Sequence, residues 1–144
     1  MIERGKIESL VPHAGEMCLL DRVIEWDSLS LICSSRSHLA ASNPLREGGR
    51  LGAACGVEYA AQAMALHGGL TSESSAKPSV GYLLTLRDLQ MTVERLDNIT
   101  EDLMIKVEKL SSVETQVSYR FEIIGCGESL LRGRAMVVLA GDMP

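Results

Sequence analysis

"GVEYAAQAMALHGG", residues 56–69, is a run of small and apolar residues with one carboxylate, Glu58, set inside it. The run predicts a helix made for burial, from about Leu51 to Leu66, with the glycines at 68 and 69 ending it. A charged group in such a helix must be paired, neutralised by a raised pKa, or turned toward a cavity where it handles protons. The rest of the chain has to decide among these.

At spacings of three and four, Cys55, Glu58, Tyr59, Gln62 and Leu66 share a face of this helix, while Val57, Ala61, Met64 and Gly68 point elsewhere. Two uses of Glu58 stand side by side. It can be a buried acid satisfied by a backbone amide or by an arginine such as Arg22. It can also be a general acid or base in an apolar tunnel, where loss of water favours the protonated carboxyl.

Working outward, "MCLLDRVIEWD" (17–27) and "SLSLICSSRSHL" (28–39) read as a strand hairpin before the helix, separated from it by the Asn-, Pro- and Gly-rich "ASNPLREGGRLG". After the helix, "TSESSAKPS" reads as a surface loop. "VGYLLTLRDLQMTVERL" (80–96) and "DLMIKVEKLSS" (102–112) have strand character. "QVSYRFEII" (116–124) alternates cleanly, with Val117, Tyr119, Phe121 and Ile123 on one face. "GCGE" then turns into "SLLRGRAMVVLAG" (129–141), a second hairpin. The expected fold is α+β, one domain over residues 1–144, with a single central helix wrapped by a curved antiparallel sheet. That arrangement resembles the hotdog fold, whose members pair through their sheets.

Composition narrows the function. With 144 residues, 46% hydrophobic and 23% charged, the chain can build one core without staples. A net charge of -5 and 3% aromatic residues supply neither the basic footprint nor the stacking platforms of nucleic-acid binders. The charged "MIERGKIESL" is unlike a secretory signal, and no apolar run approaches the ~20 residues of a membrane span. A cytoplasmic protein is expected. The four cysteines, Cys18, Cys33, Cys55 and Cys126, form no C-x-x-C pair and are read as buried, reduced thiols.

Among the three histidines, His13 in "LVPHAGEMCLLDRV" sits in a loop that can hold it against the helix. His38, at a strand end, and His67, at the helix C-terminus, suit structural or surface roles. No metal-ligand spacing, phosphate loop or nucleophile elbow occurs, so neither a metal nor a nucleotide cofactor is expected.

Two segments carry a family resemblance. "LVPHAGEMCLLDRVIEWD" resembles the P-H-x-x-x-M-x-L-L-D-R-V block, and "NPLREGGRLGAACGVEYAAQAMALHGG" the central helix with its E-x-x-A-Q-A core, of the hotdog 3-hydroxyacyl-acyl carrier protein dehydratases. Within that family the likeness is to the branch found in aryl polyene-type biosynthetic clusters. The resemblance implies dehydration of a 3-hydroxyacyl thioester, bound to acyl carrier protein or coenzyme A, by a homodimer or larger hotdog oligomer. It implies Glu58 as the catalytic acid. The family's usual histidine loop corresponds here to "NPLREGGRLGAAC", which has no histidine, so His13 is the remaining candidate for the base. Gly56, Val57, Gln62 and Asn43 are candidates for binding substrate: backbone N–H groups near Cys55 to Val57 to polarise the thioester carbonyl, Gly56 to admit the acyl chain, and Asn43 to shape the entrance. A hotdog thioesterase, or a non-catalytic acyl-binding hotdog subunit, would use the same scaffold.

Overall fold

The structure, a computed structural model, describes residues 2–10, 17–71 and 81–139. Its elements in chain order are β1 (Ile2–Glu3), α1 (Arg4–Leu10), β2 (Arg22–Trp26), β3 (Ser30–Ser35), α2 (Gly56–Thr71), β4 (Gly81–Met91), β5 (Leu103–Val113), β6 (Gln116–Gly125) and β7 (Glu128–Leu139). Short 3₁₀ turns occupy Ser37–Leu39 and Ala53–Cys55. All strand pairs are antiparallel and form one sheet in the order β1-β2-β3-β5-β6-β7-β4. The α+β architecture with α2 lying on the sheet is the one expected.

Period-two alternation places the core. Leu103, Ile105 and Val107 of β5, Val117, Tyr119, Phe121 and Ile123 of β6, and Leu131, Ala135 and Val137 of β7 are all buried on one face. Against them α2 sets Tyr59, Ala60, Ala63, Met64, Leu66 and His67. Burying a large apolar side chain of this kind stabilises the fold by about 1.5–3 kcal/mol each.

The helix starts and ends later than expected. At its start, Leu51 to Ala53 pair with another segment: Leu51 N–H donates to Asp97 Oδ1 (2.9 Å), Leu96 N–H to Leu51 C=O (2.8 Å), and Ala53 N–H to Glu94 C=O (3.0 Å). Those bonds commit the backbone to an extended path. At the far end the helix continues through Gly68 and Gly69, because His67 is fastened at both ring nitrogens. Tyr119 Oη lies 2.8 Å from its Nδ1, and Asp27 C=O lies 2.9 Å from its Nε2. Thr71 Oγ1 then donates to His67 C=O at 2.8 Å, satisfying one of the terminal carbonyls.

Three other expectations are corrected. The first strand begins at Arg22 and not at Met17, since side chains take the place of strand neighbours at Leu19. Where a single central helix was expected there is a second, α1, which follows β1 and has Ile7 fully buried. Cys126 is exposed in the β6–β7 turn, although Cys18 and Cys33 are buried and Cys55 is half-buried.

Candidate active site

Glu58 lies in the first turn of α2 and is half-buried. One turn on, Gln62 lies on the same face, with its Nε2 3.5 Å from Glu58 Oε1, the outer limit of a hydrogen bond. The Gln62 amide also binds the chain that leads into β2: Leu19 N–H donates to its Oε1 (2.9 Å), and its Nε2 donates to Met17 C=O (2.7 Å). The carboxylate and the Met17–Leu19 segment are thus brought to one place. Arg22, the counter-charge considered for Glu58, instead lies 3.8 Å from Glu3.

The other candidates have separate uses. Asn43, only 7% exposed, donates from Nδ2 to Ser37 C=O (2.9 Å) and to Tyr59 Oη (3.1 Å), and its Oδ1 accepts from Leu45 N–H (2.8 Å). It supports Tyr59, the neighbour of Glu58, from within the protein. Gly56 faces the sheet, where an added Cβ would lie 2.6 Å from Leu131 Cδ2, so its smallness lets α2 sit close to β7. Its N–H bonds to the Ala53 and Ala54 carbonyls, and Cys55 N–H to Gly52 C=O, so both are spent within the turn. Val57 is half-buried and packs against the core. His13 lies outside the described residues.

Sequence patterns did not identify the two serine hydroxyls that complete this region. Ser35 Oγ and Ser37 Oγ both donate to Leu19 C=O, at 2.5 and 2.8 Å, and Ser37 Oγ also lies 2.7 Å from Tyr59 Oη. The signal was present in "CSSRS", where hydroxyls stand at alternate positions just after the buried Leu31 and Cys33 of β3. Beside this network an open cleft of about 520 Å³ is lined by Arg4, Cys18, Asp21, Arg22, Ser37 and Asn43, among others.

Electrostatics argue against a cysteine nucleophile here. Burial pushes the thiols of Cys18 and Cys55 up, and that of Cys33 to about 12, so all three stay protonated near neutrality. Burial likewise raises the Tyr59 hydroxyl, against the opposing effect of Ser37 and Asn43. His38 and His67 are fully buried, and burial holds both imidazoles below their ordinary value. With His38 Nε2 2.9 Å from Ile99 C=O and His67 bound as above, both are structural, as expected of them. Among the described residues no group of three or more His, Cys, Asp or Glu could hold a metal, and no helix is long and apolar enough to cross a membrane.

The chain was compared with known proteins on this basis. The model of the ApeP-like family, described as ApeP dehydratase, matches residues 5–143. No curated protein matches the sequence significantly. Among solved structures, the dehydratase heterocomplex ApeI:P from Xenorhabdus doucetiae is similar with a TM-score of 0.81 at 24% identity, over 93% of this chain and 90% of that one. A hypothetical thioesterase with coenzyme A from Streptococcus pneumoniae gives a TM-score of 0.59 at 13% identity, over 85% of this chain and 88% of that one. A thioesterase from Haemophilus influenzae gives 0.60 at 9%, over 83% and 78%. At these identities the structural likeness establishes the fold, which is the hotdog fold expected from the sequence.

Proposed function

The chain belongs to the ApeP-like dehydratase family, and on that premise we propose that its substrate is a 3-hydroxyacyl thioester, carried by acyl carrier protein and converted to the trans-2-enoyl thioester. The setting proposed is aryl polyene or fatty-acid-like biosynthesis in the cytoplasm, with the chain acting as one hotdog domain. The observation that carries the reading is the position of Glu58: a half-buried carboxylate in the first turn of α2, on the face where Gln62 ties down Met17.

In this reaction a base removes the proton from C2, the C3–O bond breaks, and the leaving hydroxyl takes a proton to depart as water. Glu58 in its protonated form is the proposed donor, and the neutral imidazole of His13 is the proposed base. His13 lies four residues before Met17, and four residues of chain span at most about 14 Å. Anchoring of Met17 beside Glu58 therefore supports a base acting in the same space. Two opposed proton carriers are sufficient for this chemistry, and no metal or cofactor is invoked.

For the assembly we propose pairing through the sheet, either as a homodimer or with a different chain; the similar ApeI:P structure is a dehydratase heterocomplex. Among the described residues β4 ends the strand order, and its eleven-residue edge is a template for another strand.

The test is to incubate the purified protein with 3-hydroxyacyl thioesters of carrier protein and of coenzyme A, following enoyl formation and free thiol release together. Enoyl product without thiol supports the dehydratase reading. Thiol release makes the chain a thioesterase, and neither product makes it a binding subunit. Glu58→Gln should lower turnover by about 100-fold to 10,000-fold with the fold retained. His13→Ala should abolish exchange of the C2 proton with solvent.

A further inference from the structure

The side-chain amide of Gln62 makes the bonds that a peptide group makes in a strand ladder. Its two polar atoms engage Leu19 N–H and Met17 C=O at 2.9 and 2.7 Å, and the residue is 2% exposed. These partners fix the orientation of the amide. Turned over, it would set donor against donor at Leu19 and acceptor against acceptor at Met17. The second hydrogen on Nε2 is therefore directed at the Glu58 carboxylate, whose Oε1 is 3.5 Å away. Both donor hydrogens are then used, and none remains for a substrate. The Ser35 and Ser37 hydroxyls hold Leu19 C=O, so the segment is gripped from α2, from β3 and from the turn after it.

We infer that Gln62 is a positioning residue: it locks Met17–Leu19 and the Glu58 carboxylate into one unit, and it does not bind the substrate as the sequence suggested. The inference rests on the dehydratase reading for its catalytic consequence, but the lock itself can be measured without activity.

The experiment compares Gln62→Leu and Gln62→Glu with the parent protein. Amide hydrogen exchange at Leu19, read by NMR, should speed up about 10-fold to 100-fold in Gln62→Leu, as for the loss of one buried hydrogen bond. Gln62→Glu keeps an acceptor for Leu19 but cannot donate, so it should retain more of that protection. In the enoyl-forming assay both variants should lose about tenfold or more in kcat with KM nearly unchanged. A raised KM with kcat intact would make Gln62 a substrate contact and overturn the inference. So would Leu19 exchange at the parent rate in both variants. If the parent protein forms no enoyl product while Leu19 exchange responds as expected, the dehydratase reading fails and the lock stands.

Discussion

The strands of the sheet and the segments that flank the β2–β3 hairpin are held by different kinds of hydrogen bond. From β5 through β7, backbone ladders run almost unbroken, with Val107 opposite Phe121 and Phe121 opposite Gly133. In the segments that flank the β2–β3 ladder, Met17–Leu19 and Ser37–Asn43, the pairing is done by side chains: Gln62 and two serines on Leu19, Tyr59 on Ser37, and Asn43 on its own loop. A ladder spreads its hydrogen bonds over many residues that any sequence supplies, so it is vulnerable mainly to lost packing. The side-chain network hangs on particular polar atoms, so a single atom matters there. The candidate site is built on the second kind.

The largest effect should come from the ladder half. Phe121→Ala leaves a cavity beneath α2 and should cost about 3–5 kcal/mol. Chemical denaturation with an unchanged m-value would measure it. A cost under about 1 kcal/mol would mean that this half does not depend on packing in the way described.

On the network side the sharper test is a double-mutant cycle. Ser35→Ala or Ser37→Ala alone leaves Leu19 C=O with one donor, so each should cost about 0.5–1.5 kcal/mol. The double variant strands that carbonyl and should cost more than the sum of the two, with an interaction energy of about 0.5 kcal/mol or more. Strict additivity would show that the two hydroxyls are not sharing one acceptor.

A smaller change per step is expected with pH, and it touches both regions. His38 holds the Ser37–Leu39 turn to Ile99, and His67 holds α2 to β6. Burial keeps both below their ordinary value of 6.5, so the folded protein binds fewer protons than the unfolded chain. Stability from these groups is therefore fully present above about pH 6.5 and is lost as pH falls through the folded-state values. Denaturation midpoints between pH 7 and 5 should fall, and His67→Ala should flatten the slope by one histidine's share. An unchanged slope in that variant would remove His67 from the account.

The same contrast explains what could be read from the sequence. The four inward residues of β6 were legible because period two is a local property. Glu58 and Gln62 were placed on one helix face for the same reason. The helix ends are not legible locally because partners far along the chain set them, Asp97 and Leu96 at the start and Tyr119 and Asp27 at the finish. The first strand is shorter than its apolar run because Gln62, 43 residues away, replaces the ladder at Leu19. The helix α1 buries only Ile7, too little to leave a periodic trace.

The smallest expected effect tests whether the ladder half sets its own register locally. Cys126 and Gly127 form a two-residue turn between β6 and β7, with φ of 53° and 75°, while Gly125 pairs with Glu128. Positive φ at both central positions is the geometry of a type I′ turn, which strongly favours Asn-Gly. Glycine adopts it freely, but cysteine carries a Cβ that crowds the backbone there. Since Cys126 is exposed and its thiol is not needed for packing, Cys126→Asn should stabilise the protein by about 0.5–1 kcal/mol, whereas Cys126→Val should destabilise it by a similar amount. Urea midpoints at constant m would separate the two. If both variants match the parent, the turn contributes nothing, and the register of β6 and β7 is fixed by the ladder and the packing of Phe121 alone.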